Sequence, residues 1–175
     1  ITAPALAWLL GPNDDWTAVA AVNVDLGVYA GWGLEKATAA AAVNGQPSRV
    51  HLKVDTGLGR GGVQPHDWAD VVDAAAKAQA EGAIEIIGIW SHLAYADQPN
   101  NPTIESQRLQ FEEALAVAER AGVRPQLRHL ANADATLWLP QTHDDRVRPG
   151  VAIYGLSPGA EVGAGDELGM APAMS

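Results

Sequence analysis

The sequence predicts an α/β fold of about six parallel strands joined by crossover helices. Three observations point there. Short apolar runs alternate with stretches of helical periodicity, glycine or proline closes most of them, and no long linker, low-complexity tract or repeat interrupts the alternation. Strands separated by helices imply a parallel sheet covered by its own connections. Six such units in 175 residues fit a doubly wound sheet or about three quarters of a (β/α)₈ barrel, whose usual length is about 250 residues.

Taken in order, Ala5 to Leu10 is a short apolar run ended by Gly11-Pro12 and reads as a buried strand. Asn13 or Asp14 can cap a helix carrying Trp16, Val19, Ala20 and Val22. Val24 to Tyr29 is the next strand, followed by a helix with Leu34, Ala37, Thr38 and Ala41 on one face that stops at Asn44-Gly45. Val50 to Val54 is a strand with Lys53 set in it. Pro65 opens a helix with Trp68, Val71, Val72, Ala75 and Ala78 aligned and Gly82 past its end. Ile84 to Leu93 is a long apolar strand. Thr103 can cap a helix with Phe111, Leu115 and Ala118, ended by Gly122. Leu127 to Leu130 is a strand, Asp134 to Leu139 a helical turn, and Val151-Ala152-Ile153 the sixth strand.

Composition bounds the function. Apolar content of 47% and charged content of 18% describe an ordinary globular domain. A net charge of −10 argues against nucleic acid or an anionic membrane as partner, because both need a basic face. With 11 lysines and arginines in all, an anion site must gather its cations locally. There is no cysteine, hence no disulfide framework or thiolate metal site, and no His-Glu-x-x-His or comparable spacing, so no metal is expected. No run reaches the roughly 18 apolar residues of a spanning helix, and Ile1-Thr2-Ala3-Pro4 lacks a basic leader, so a cytoplasmic location is expected.

Single polar residues decide between the two sheet types. Lys53, His92, His129, Asn132 and Arg148 all fall late in a strand or just beyond one, which in a barrel is the C-terminal mouth where sites are built. The fold class is therefore an incomplete TIM-type (β/α)₈ barrel. The stretch Arg146 to Gly155 draws the most attention, since an arginine fixed where a buried strand begins costs several kcal/mol unless a charge or strong acceptor meets it. Pro149 has no N–H, and Gly150 allows close approach to the amides of Gly150 and Val151, which could cradle an anion. Taken alone, a solvated arginine at a strand start is the simpler reading. Gly57-Leu58-Gly59-Arg60-Gly61-Gly62 matches G-x-G-x-x-G, but Val63-Gln64-Pro65 intervene before any helix, so a glycine-rich connecting loop is favoured over a dinucleotide site. Lys53 could snorkel, or pair with Asp55 two residues on.

Four blocks together resemble the barrel domain of alanine racemase, an enzyme that uses pyridoxal 5′-phosphate (PLP) to interconvert L- and D-alanine. They are Val50 to Arg60, Trp90 to Asp97, His129 to Asn132 with Ala135-Thr136-Leu137, and Val147 to Pro158. Ile1-Thr2-Ala3-Pro4 and Val24-Asp25-Leu26-Gly27 fit less specifically. The resemblance implies that Arg148 meets the pyridine nitrogen of PLP and keeps it unprotonated, with His129 and His92 buttressing Arg148. It implies that Gly150, Val151 and the Tyr154 hydroxyl hold the phosphate, with Asn132 beside the cofactor. Arg60 would bond the phenolic oxygen. Lys53 would be the position carbamylated in many members, and so turned into an anion that orients Arg60.

The chain departs from the family pattern in three places. Ala133 stands where members usually carry a serine, which should weaken phosphate binding by about 1 kcal/mol. The lysine that would anchor PLP has no counterpart among Lys36, Lys53 and Lys77, and the first strand–helix units and the C-terminal β-domain with its opposing tyrosine base are missing. The expectation is thus a partial barrel domain over residues 1–175, shortened at both ends and inactive alone, from an enzyme that is homodimeric at full length and supplies D-alanine for peptidoglycan. The alternatives are a non-catalytic barrel that binds PLP or phosphate, and a related PLP-dependent barrel racemase or decarboxylase. Decarboxylases of this fold place a carboxylate at the ring nitrogen, so Arg148 favours the racemase.

Overall fold

A computed structural model describes residues 3–98 and 100–173; the match of Ile1-Thr2 to the family pattern lies outside the described residues. Five strands alternate with helices: β1 (Ala5–Ala7), α1 (Trp16–Ala21), β2 (Val24–Val28), α2 (Gly31–Asn44), β3 (Ser48–Lys53), α3 (Trp68–Ala80), β4 (Ile84–Trp90), α4 (Pro102–Arg120), β5 (Leu127–His129) and α5 (Ala133–Trp138). Every pairing is parallel and the order in space is the order in sequence, β1-β2-β3-β4-β5. That progression, without reversal, is a curled part-barrel rather than a doubly wound sheet.

Strand alternation divides the side chains. In β3, Val50 and Leu52 are fully buried and, with Leu26, Val28 and Ile89, pack against Ala37, Val72, Ala75, Phe111 and Ala118 of the helices. Each large aliphatic side chain so buried contributes about 1.5–3 kcal/mol. The intervening residues Arg49, His51 and Lys53 take the other, concave face. That face is polar along its length, which is unusual for a barrel interior.

The ends of the helices are set by local chemistry. Asp15, rather than Asn13 or Asp14, caps α1 by accepting from Ala18 N at 2.9 Å, because the Asp14 carboxylate already accepts from Gly11 N at 2.7 Å. Asn101, rather than Thr103, caps α4. Pro102 has no N–H and suits the first helical position, which moves the cap to the residue before it. Pro65 sits in a turn, and α3 begins at Trp68.

The expected sixth strand is absent from the described residues. Gly150–Tyr154 is instead a 3₁₀ helix closed by Ala152 N→Pro149 O and Gly155 N→Ala152 O, each 3.0 Å. A strand needs a ladder partner, and none lies beside this segment among the described residues. Val151 and Ile153 are 44% and 66% exposed, and the amides of Ala152 and Gly155 bond within the turn instead of to a neighbouring strand. Two further 3₁₀ turns, Pro140–Thr142 and Ala160–Val162, complete the chain.

Candidate active site at the C-terminal end of the sheet

The fold brings Lys53, His92, His129, Asn132 and Arg148 to one end. Lys53 and His129 are the last residues of β3 and β5, His92 follows β4 by two, and Asn132 is the N-cap of α5. Arg148 is anchored by its own amide donating to Ala131 O at 3.1 Å.

The Arg148 guanidinium is mostly occupied. Nη1 donates to the carbonyl and to Nδ1 of His129, both at 2.9 Å, and Nη2 donates to Ser91 O at 2.8 Å and Leu130 O at 3.1 Å. Its Nε is buried and has no partner among the described residues. Burial lowers its pKa to about 10, still cationic at neutral pH. Among the described residues no carboxylate meets it, so the charge rests on carbonyl dipoles and on the Trp90 ring, whose centroid lies 5.0 Å from Cζ.

Lys53 is buried, donates to Arg60 O at 3.1 Å and lies 4.9 Å from the same indole. Burial first, then the charges of Arg60 and Arg148, depress its pKa to about 8. It does not pair with Asp55, whose carboxylate is taken by the amides of Gly57 and Gly59 and by Gln64. This folds the glycine-rich segment into a compact loop that carries Arg60 to an exposed position. At Gly62 (φ +134°) a side chain would stand 2.7 Å from Asp55 N, so only glycine closes the loop. Lys53, Arg60, Gly61, Trp90 and His92 line a cavity of about 410 Å³ with Trp8, Leu9 and Tyr29.

His129 bonds Arg148 directly. His92, expected to buttress the same arginine, makes no hydrogen bond to it among the described residues and faces the cavity instead. Burial, followed by the Arg148 charge, holds His129 at about 2 and His92 at about 4. The amides of Ala133, Gly150 and Val151 donate to no acceptor among the described residues, Gly150 has φ +51°, and Tyr154 is half exposed. Asn132 Oδ1 accepts from Ala135 N at 3.1 Å, which fixes the start of α5.

Several residues of the site escaped the sequence reading. His51 bonds His129 Nε2 through its Nδ1 at 3.0 Å and Asp25 Oδ2 through its Nε2 at 3.1 Å, and Arg49 Nε donates to Asp25 Oδ1 at 2.6 Å. Trp90 lies under both cations and stacks on His129 at 5.4 Å. Gln107 of α4 ties the loops together, accepting from Ala94 N and donating to His92 O and the Thr56 hydroxyl. The available signal was the alternation Arg49-x-His51-x-Lys53, which sets three polar side chains on one face of a buried strand.

The depressed histidines give a pH dependence. Both are neutral when folded, whereas in the unfolded chain each takes a proton below about 6.5. Their stability contribution is full above that value and is lost as pH falls toward the folded pKa values. By pH 5 the loss is about 2 kcal/mol per histidine. Urea unfolding at pH 7.5 and pH 5 should show the midpoint falling, and an unchanged midpoint would mean that the histidines are exposed or paired with a carboxylate.

Sequence and structure comparison place the chain in a family. The alanine racemase N-terminal domain family matches residues 1–158. The chain belongs to the alanine racemase family. It is 51% identical over 174 residues to an alanine racemase of Frankia casuarinae, covering 99% of this chain and 45% of the relative. Identity to the alanine racemase of Salinispora tropica is 50% over 175 residues, covering 100% of this chain and 46% of the relative. The crystal structure of alanine racemase from D-cycloserine-producing Streptomyces lavendulae superposes with a TM-score of 0.97 at 47% identity, covering 99% of this chain and 46% of that one. Alanine racemase of Streptomyces coelicolor A3(2) gives 0.95 at 46% identity over 98% of this chain and 45% of that one. The chain thus spans a little under half the length of the alanine racemases it matches, and within that span its curled sheet is theirs.

Proposed function

We propose that residues 1–175 form the PLP-binding part of a barrel domain acting in the interconversion of L- and D-alanine. One observation carries the reading: Arg148 is held by carbonyls and His129 so that a single buried donor, Nε, is left over. A guanidinium donates only, so its complement is an acceptor without a proton, which an unprotonated pyridine nitrogen is. A ring kept unprotonated is the weaker electron sink that suits racemisation over decarboxylation or transamination.

PLP, when bound, would supply delocalisation for the carbanion at the substrate α-carbon. The residues of this chain would hold and orient it. Arg148 Nε would donate to the ring nitrogen, with His129 fixing the guanidinium. The amides of Gly150 and Val151, the Tyr154 hydroxyl and the amide of Ala133 would take the phosphate, with Asn132 shaping that turn. Arg60 would meet the phenolic oxygen, and neutral His92 would face the substrate side. Lys36 and Lys77 are exposed on α2 and α3, so the lysine that anchors PLP, and the second base, would come from other segments. D-alanine for peptidoglycan as product, a homodimer and a cytoplasmic location are part of this proposal. Among the described residues no helix is long and apolar enough to cross a membrane.

To test the reading, residues 1–175 replace the matching segment of the Streptomyces coelicolor enzyme. The chimera should racemise alanine, and the 175-residue chain alone should not. An inactive but folded, PLP-loaded chimera, or turnover by the isolated chain, would overturn it.

Lys53 gives a separate expectation. With a pKa of about 8, roughly a tenth of it is free base at pH 7, against far less than 1% for an ordinary lysine. The free amine can attack CO₂, forming a C–N bond and releasing a proton, and the resulting anion would sit between Arg60 and Arg148. Bicarbonate labelled with ¹³C should give a carbamate signal that Lys53→Gln abolishes. A signal that survives the substitution would place the modification elsewhere.

A further inference from the structure

The line of side chains from Asp25 through His51 and His129 to Arg148 spans the concave face from the second residue of β2 to the mouth, with every link 2.9–3.1 Å. It can be satisfied by one arrangement of protons only. Arg148 Nη1 donates and cannot accept, so His129 Nδ1 must accept. A neutral imidazole has one N–H, which is then on Nε2 of His129 and points at His51 Nδ1. His51 must accept there, so its own proton is on Nε2 and is donated to the Asp25 carboxylate. Reversing any link puts two N–H groups face to face at about 3 Å in a buried site. Burial alone would raise the Asp25 carboxyl, but the hydrogen bonds from His51 and Arg49 hold it below its ordinary value, so the far end is a fixed acceptor.

Gly88 makes this line possible. β4 lies between β3 and β5, and Gly88 pairs with both His51 and Leu127. With no side chain on Gly88, the two imidazoles meet across the intervening strand.

We propose that Asp25 is a positioning residue, which through His51 and His129 reinforces from the far end the tautomer that leaves His129 Nδ1 open as an acceptor, and so helps hold Arg148 in the pose that leaves its Nε unpaired. Only the last link, from Arg148 to the cofactor, rests on the proposed function. Asp25 touches no substrate or cofactor.

The test is ¹⁵N NMR of the 175-residue chain labelled at histidine, repeated in the Streptomyces coelicolor chimera. At neutral pH, His51 and His129 should both be neutral with the proton on Nε2. Asp25→Leu should move the His129 nitrogen shifts toward a tautomer mixture, and Asp25→Asn, which keeps an acceptor oxygen, should restore them in part. Arg49→Gln removes the other partner of Asp25 without entering the line. It should lower stability and leave the His129 shifts in place, which separates positioning from a purely structural role. A proton on Nδ1 of either ring in the wild type, or His129 shifts that respond equally to Arg49→Gln and Asp25→Leu, would overturn the proposal. If Asp25→Leu fails to fold, the wild-type tautomers alone decide. PLP affinity, followed by absorbance in the chimera, should fall about tenfold in Asp25→Leu. Shifted tautomers with unchanged affinity would support the proton line and count against the cofactor role of Arg148.

Discussion

Gly88→Val is expected to lower the melting temperature by about 10 °C or to abolish folding. A Cβ at position 88 would stand 2.3 Å from His51 Nδ1 and 2.7 Å from Cε1. The ring cannot swing away cheaply, because both of its nitrogens are engaged, one by Asp25 and one by His129. Displacing it leaves two buried polar groups without partners at about 1–3 kcal/mol each, added to about 1–3 kcal/mol of overpacking. For a chain of this size each kcal/mol shifts melting by about 2–4 °C. Scanning calorimetry of Gly88→Ala beside Gly88→Ala/His51→Ala gives the sharper check. If the clash is the cause, the double variant should be less destabilised than the sum of its two single variants. Strict additivity would place the damage elsewhere.

Arg148→Lys keeps the charge and should still fail. One ammonium cannot reach the His129 and Ser91 carbonyls together while leaving a further buried donor to spare, as the planar fork does. Two effects oppose each other. Removing the guanidinium relieves part of a desolvation penalty large enough to bring its pKa to about 10, yet it orphans the Ser91 and Leu130 carbonyls. The bonds should win by about 2 kcal/mol, since hydrogen bonds to a charged group contribute about 1.5–3 kcal/mol each. Loss of the Nε donor should weaken PLP binding roughly 10–100-fold in the chimera, read by cofactor titration. An affinity within twofold of the wild type would mean that Nε does not meet the cofactor.

The order of strands and helices was legible because apolar runs and breakers report on local structure, and β2 to β4 fall where their runs predict. The segment Val151 to Ile153 was not, because an apolar run becomes a strand only if a neighbour accepts its ladder. The residues at strand ends were legible by type and by resemblance. Asp25 and His51 were not, since their roles depend on sheet curvature and on a glycine 37 positions after His51 in the chain. His92 stood out in the sequence, but whether it would touch Arg148 or face the cavity depended on loop geometry fixed by Gln107.

The alternation within β3 also guards against misassembly. Were that segment to slip by one residue against its neighbours, Val50 and Leu52 would turn into the row of charges, and Arg49, His51 and Lys53 into the oily layer beneath the helices. Neither surface would tolerate the exchange. The same residues that set up the mouth therefore also act as a proofreading key for how the chain closes on itself.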